Sequence, residues 1–255
     1  MRIERKVGGT VAVLGSLLLA VSGTVPAFAH TGPSAGLRFG GLRLAATAAA
    51  TSTGFGGWAF APKGAKSVTT KYKVVKLKCG SATTGVAPIA VFVTGTSSAP
   101  KFNAAGILMA CSGGKQIMKA AVIVDGAAKA GTVPPVVGDL LKATITSSTT
   151  TTTATVKDLT KGHTFTLTKS GKGAASLQEL IINDSLVNRS TGMQLPVANF
   201  VKQAFTSAAV SGKAIGTVTP RTAVNMVNKK GVLQILAGPI TGTAKNMFTN
   251  TWKHS

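Results

Sequence analysis

Leu141-Lys142-Ala143-Thr144-Ile145-Thr146 sets apolar residues at every second position and polar residues between them. Side chains of a strand point to opposite faces in turn, so this run reads as a strand with one buried and one wet face. The pattern recurs. His163, Phe165 and Leu167 oppose Thr164, Thr166 and Thr168, while Val75, Leu77 and Cys79 oppose Lys76 and Lys78. Antiparallel sheets permit such half-wetted strands, whereas parallel sheets bury both faces. Working outward, further short runs lie at Ile89 to Val93, Ile107 to Cys111, Met118 to Val124, Thr151 to Leu159, Leu177 to Ile182, Phe200 to Phe205, Val232 to Ala237 and Phe248 to Trp252. Gly, Ser, Asn and Pro, the residues of turns, separate them. The Ser147 to Thr153 tract is low in complexity, yet Thr suits an exposed strand, and the tract reads as a hairpin arm. About a dozen strands within residues 57–255 predict an all-β domain, a two-sheet antiparallel sandwich.

Composition narrows the chemistry. The 255 residues are 44% apolar, ample for a core in one or two domains, and carry 28 Lys and Arg against 6 Asp and Glu. So few carboxylates exclude most acid/base, Mg²⁺ and Ca²⁺ chemistry. His30, His163 and His254 are the only histidines and none pairs at metal-ligand spacing. Neither a nucleophile elbow nor a Walker loop occurs, so no metal or cofactor is expected. Asp139 after Gly138 and Asp158 before Leu159 read as turn anchors, and Trp58 and Trp252 as core plugs.

The first residues read as an address. Arg2, Arg5 and Lys6 form a basic region, Val11 to Val21 an apolar run, and Ala27-Phe28-Ala29 a small-residue cleavage site. Residues 1–29 are therefore expected to be a signal peptide cleaved near Ala29, giving a secreted or envelope protein, with a retained anchor as the alternative. The mature chain would keep 25 basic against 5 acidic residues, a charge of +20. Residues 30–56, rich in Gly, Ala, Ser and Thr, read as a flexible linker or pro-segment before a domain at 57–255. Cys79 and Cys111, the only cysteines, are expected to form a disulfide in an oxidising compartment, two buried free thiols being the alternative.

Read in order, the segments resemble a known family. Trp58 opens a Gly-Trp-Ala start and a later strand ends in Cys79. Phe92-Val93-Thr94-Gly95, Asn103-Ala104-Ala105-Gly106-Ile107 and Cys111-Ser112-Gly113-Gly114 follow. Gly138-Asp139, Asp158-Leu159-Thr160, Gln178-Glu179-Leu180-Ile181, Leu195-Pro196 and Phe248 to Trp252 complete the series. This order is similar to that of the glutamic endopeptidases, or eqolisins, secreted enzymes built on a lectin-like (concanavalin-like) β-sandwich. The likeness spans nearly all of residues 57–252.

The resemblance implies a catalytic pair projecting from the concave sheet: a Glu that activates water and a Gln that helps hold the oxyanion. Glu179 matches the family's Glu, in a motif whose Trp is here Leu180. The Gln belongs two residues before Gly106, and that position is Ala104. The family's Ala-Trp-Tyr-Glu run reads Ala120-Ala121-Val122-Ile123, its Asn before the first Trp is Gly57, and an expected Asp is Thr96. Among other glutamines, Gln178 points away from Glu179 by strand alternation, Gln116 is the candidate substitute, and Gln194, Gln203 and Gln234 have no assignable place. The resemblance thus implies the fold more strongly than the activity.

The expected protein is a secreted, monomeric β-sandwich whose catalytic constellation has degenerated to Glu179 alone, leaving a binding or structural role. Its charge points to anionic envelope polymers or a lipid surface, and few aromatics count against nucleic acid. Two alternatives stand beside it: an acid-acting endopeptidase that uses Glu179 on a peptide substrate, and a carbohydrate-binding module.

Overall fold

Sixteen strands account for the architecture of the computed structural model, which describes residues 49–254 apart from 97–98, 171–175 and 189–192. The expected signal segment and the expected linker up to residue 48 lie outside the described residues. The strands are β1 (Ala50–Ser52), β2 (Phe55–Phe60), β3 (Ser67–Lys73), β4 (Thr84–Thr96), β5 (Ala99–Ser112), β6 (Lys115–Val124), β7 (Ala127–Ala130) and β8 (Leu140–Ser147). They continue as β9 (Thr151–Asp158), β10 (Thr164–Ser170), β11 (Gln178–Asp184), β12 (Lys202–Val210), β13 (Lys213–Ala214), β14 (Arg221–Val227), β15 (Leu233–Ala237) and β16 (Phe248–Trp252).

One hydrogen-bonded ladder runs β10-β9-β8-β3-β12-β16-β15-β14-β2-β11-β4-β5-β6-β7 and folds back on itself into two layers. Its pairings are antiparallel, and β1 adds a parallel pair, to β14. The smaller layer, β10-β9-β8-β3-β12, packs against β11-β4-β5-β6 of the larger, with β6 across β9 and β10 and β4 across β3 and β8. The expected two-sheet antiparallel sandwich is the fold observed.

Alternation explains what lies between the layers. Val68 and Tyr72 from β3, Leu141, Ala143 and Ile145 from β8 and Ala154 and Val156 from β9 meet Ala105, Ile107 and Met109 from β5 in one apolar core. Phe205 stacks on Phe248 with ring centroids 4.9 Å apart, and the Tyr72 ring meets Phe205 edge-on at 5.7 Å. A second apolar cluster lies on the other face of the larger layer, where Leu180, Ile182, Val91, Val93 and Ala104 pack with Leu186 of the loop after β11.

Three expectations need correction. Val74 to Cys79 is not a strand, although Leu77 is buried and Lys76 and Lys78 are exposed as its alternation requires. Its backbone is held instead by the Gln116 side chain, whose Oε1 accepts from the Leu77 amide and whose Nε2 donates to the Val75 carbonyl, each at 2.9 Å. Residues 50–56, expected to belong to the linker, lie in β1 and β2 or the turn between them; Ser185 N–H donates to the Gly54 carbonyl and Phe55 is 3% exposed. Strands β3 and β14 were not expected, because each buries a threonine, Thr70 and Thr222, that disguises the apolar period.

Cys79 and Cys111 form the expected disulfide, with Cα atoms 5.3 Å apart. It closes a loop spanning 32 positions, worth about 4 kcal/mol in the chain-entropy model, and together with Gln116 pins the 74–79 segment to the β5–β6 hairpin.

Candidate functional site

The neighbours of Glu179 follow from ladder register. On β11 it lies directly opposite Phe60 of β2 and Phe92 of β4, and Phe92 in turn lies opposite Asn103 of β5. Arg221 of β14 extends the row beyond Phe60. Directly paired side chains share a face, so Arg221, Phe60, Glu179, Phe92 and Asn103 all project to one side. That side is the interior between the layers, since Phe60, Phe92 and Ile181, two residues on from Glu179, belong to the inter-layer core.

The carboxyl is consequently dry. Glu179 has 0% exposure, flanked by two phenyl rings that are also at 0%. Ser176 Oγ donates to Oε1, whereas Oε2 has no hydrogen-bond partner among the described residues. Burial pushes this carboxyl up to about 7, against the opposing pull of Ser176 and of its own backbone amide. Arg221 does not neutralise it: that guanidinium donates to the Val218 carbonyl at 3.0 Å.

Ala104 belongs to a different row. It pairs with Val91, which pairs with Leu180, which pairs with Ala59; on the other side it pairs with Ile123. These residues project to the outer face of the larger layer, and Thr222 beyond Ala59 supplies the row's hydroxyl. Glu179 and Ala104 therefore point to opposite faces of the same sheet, and the structure does not bring them together. On Ala104's face β11 offers Gln178, Leu180 and Ile182, then Asp184 at its far end. Burial pushes Asp184 up to about 8, with the Ser185 amide opposing.

Three of the other glutamines, Gln116, Gln194 and Gln203, are committed elsewhere. Gln116 holds the 75–77 backbone as described. Gln194 Nε2 donates to the Thr53 carbonyl and Ser185 Oγ. Gln203 Nε2 donates to the carbonyls of Lys73 and Ala204 at 3.1 and 3.2 Å. Sequence reasoning missed Asn103, the β5 residue that shares Glu179's face. Its Nδ2 donates to the Phe92 carbonyl at 2.9 Å and its Oδ1 accepts from the Asp125 amide at 3.0 Å. With both ends occupied, Asn103 ties β4 and β5 to the turn after β6. Only its position next to Ala104 in sequence could have pointed to it.

The turn anchors behave as expected. Asp158 Oδ1 accepts from the Thr160 and Lys161 amides, and Asp139 Oδ2 accepts from the Val136 amide and Lys161 Nζ. Trp58 Nε1 donates to the Gly238 carbonyl at 3.0 Å. A cleft of about 150 Å³ opens beside exposed His163, lined by Gly131, Val133, Pro135, Asp158 and Phe165, with no residue of β11. Among the described residues no three metal-ligating side chains cluster.

The fold and this sheet define a class: a two-layer antiparallel sandwich with a buried carboxyl on an inner strand of its larger layer. The model of the peptidase A4 family matches residues 53–239, and the chain belongs to that family. Among solved structures, scytalido-glutamic peptidase bound to a transition-state analogue inhibitor is similar, with a TM-score of 0.62 and 16% identity over 79% of this chain and 98% of that one. SCP-B, a member of the eqolisin family in complex with the tripeptide Ala-Ile-His, gives 0.60 and 17% over 79% and 98%. Aspergilloglutamic peptidase from Aspergillus niger gives 0.52 and 21% over 66% and 99%. At these identities the likeness concerns the fold. No curated protein matches the sequence significantly.

Proposed function

We propose that this chain is a non-catalytic member of the glutamic peptidase family, exported to the cell envelope, where its basic surface binds anionic polymers. The observation that carries the reading is the register of β11, β4 and β5, in which Glu179 and Ala104 project to opposite faces. A general base must reach the water it activates, and an oxyanion needs its donors around the same atom. Glu179 is enclosed between Phe60 and Phe92, and the methyl group of Ala104 donates nothing. On the outer face the row Leu180-Val91-Ala104-Ile123 is aliphatic, and the carboxyl of that face, Asp184, lies at the far end of β11.

Charge supports the binding half of the reading. The mature chain has 25 basic residues for 5 acidic ones, and the described residues contain two ion pairs, Lys101–Asp125 and Lys161–Asp139. Most of the positive charge is thus available to a polyanion, with an affinity that salt weakens. Export rests on the basic and apolar residues at the start of the chain, through Ala29.

A peptide substrate is the second reading, favoured by one feature: a carboxyl at the family's Glu position that burial pushes up to about 7. Digestion of an unfolded protein across acidic pH separates the two. The expected result is no cleavage by the natural chain, by Glu179→Gln or by Ala104→Gln, because restoring the amide at 104 puts it on the wrong face. Cleavage by the natural chain that Glu179→Gln abolishes would establish the peptidase instead.

A further inference from the structure

The outer face of the smaller layer is built as a grid. Register aligns Ser67, Thr146, Thr153 and Thr168 in one row across β3, β8, β9 and β10, and Thr69, Thr144, Thr155 and Thr166 in the next. The third row is Lys71, Lys142, Lys157 and Thr164, with Lys73 one step further along β3. Neighbouring strands lie about 4.8 Å apart, so the three aligned lysines span about 10 Å, and successive rows are about 7 Å apart.

Hydroxyls cross-link the grid. Thr69 and Thr144 are bonded at 2.9 Å, Thr153 and Thr168 at 3.0 Å, and Thr155 and Thr166 at 3.1 Å. A hydroxyl has one donor and two acceptor positions, so a bonded pair still has capacity to bind a ligand. β-Branched threonines are also stiff at χ1, and little side-chain freedom is lost on contact.

Like charges set directly opposite across strands destabilise a sheet, so three aligned lysines work against the fold unless something anionic lies over them. The protein itself supplies no such group. Of the five acids after residue 29, Asp125 pairs with Lys101 and Asp139 with Lys161, and Asp158 caps the turn at 160–161. Glu179 is buried between the layers, and Asp184 ends β11 in the other layer. No aromatic side chain stands on these rows, so the face offers no platform for stacking bases or sugar rings.

We propose that this face docks a linear polyanion, a chain polymer carrying a repeated phosphate or carboxylate, with its anionic groups over Lys71, Lys142 and Lys157 and its neighbouring oxygens on the threonine rows. The inference rests on the anionic-polymer reading above and assigns the surface that performs it.

The test uses the full-length chain, with long-chain inorganic polyphosphate and polygalacturonate as probes at low salt. The triple variant Lys71→Gln/Lys142→Gln/Lys157→Gln is compared with Lys229→Gln/Lys230→Gln/Lys253→Gln, which removes equal charge from exposed positions away from the grid. Affinity for at least one polymer is expected to fall about tenfold or more in the grid variant and less than about threefold in the control, consistent with local rather than net charge. Melting temperature is expected to hold or rise in the grid variant, since like-charge repulsion is relieved. The polymer that loses affinity distinguishes phosphate from carboxylate chemistry. Equal losses in both variants would overturn the assignment of the face while leaving polymer binding intact. Absence of binding by the natural chain to either probe would remove the functional reading itself. Binding to anionic vesicles alone would replace the polymer with a lipid surface and overturn the proposal.

Discussion

Strands β8 and β11 are built by opposite rules within one sandwich. In β8, Leu141, Ala143 and Ile145 are buried while Lys142, Thr144 and Thr146 remain accessible, so composition alone declares which face is which. In β11 every residue from Gln178 to Asn183 is buried, because the layer's outer face carries its own apolar cluster with Leu186. A strand buried on both faces can hold a carboxylate on either side, and only the register of its neighbours determines which. Glu179 falls on the inner side, between two phenyl rings, and that placement separates it from the position where a partner amide was expected.

The contrast can be tested by substitution. Leu180→Ala should cost the most, about 2–5 kcal/mol, because a cavity opens under a side chain at 2% exposure on the outer face of β11. Urea unfolding measures it, and a cost under about 1 kcal/mol would mean that this face is wet after all.

Glu179→Gln should stabilise the protein, and the sign follows from linkage. The folded-state value of about 7 lies above the ordinary 4.5, so the folded chain holds this proton more tightly than the unfolded chain. Stability from this group is therefore greatest below about pH 4.5, declines as pH rises toward 7 and is flat above it. The substitution should be close to neutral at low pH and gain on the order of 3 kcal/mol at pH 8. Asp184 titrates in both proteins, so its contribution cancels in the comparison. A gain that does not vary with pH would contradict the burial of an ionisable group.

The smallest change belongs to the wet face. Thr155→Val on β9 removes one partner of an accessible hydroxyl pair and should alter stability by less than about 0.5 kcal/mol. A larger loss, read from thermal melts, would show that the threonine grid supports the fold as well as facing solvent.

The half-wetted strands were legible for the same reason that substitutions on their wet faces should be mild. Leu141 to Thr146, Thr151 to Leu159 and the Phe165–Leu167 pattern each announce a strand and its orientation. The Cys79–Cys111 bridge was legible from compartment and count. What stayed hidden depends on distant partners. Val74 to Cys79 has the alternation of a strand but is held by the Gln116 side chain and by the Asp139 and Asn199 carbonyls, all distant in sequence, which no local pattern reveals. Glu179 and Ala104 could be matched to family motifs one at a time, but their relative orientation depends on β4 lying between them with Phe92 opposite one and Val91 opposite the other. A one-residue difference in register reverses every side chain, which is why motif order conveyed the fold and not the site.

Glu179 offers an unusually direct probe, because Glu4 is the chain's only other glutamate. With ¹³C-labelled glutamate, the side-chain carboxyl signal can be followed across pH, and Glu179→Gln assigns it by disappearance. A carboxyl held between Phe60 and Phe92 should titrate near 7. Titration at the ordinary value of about 4.5 would place Glu179 in water on an open face, and would contradict the account of a carboxyl enclosed between the two layers of the sandwich.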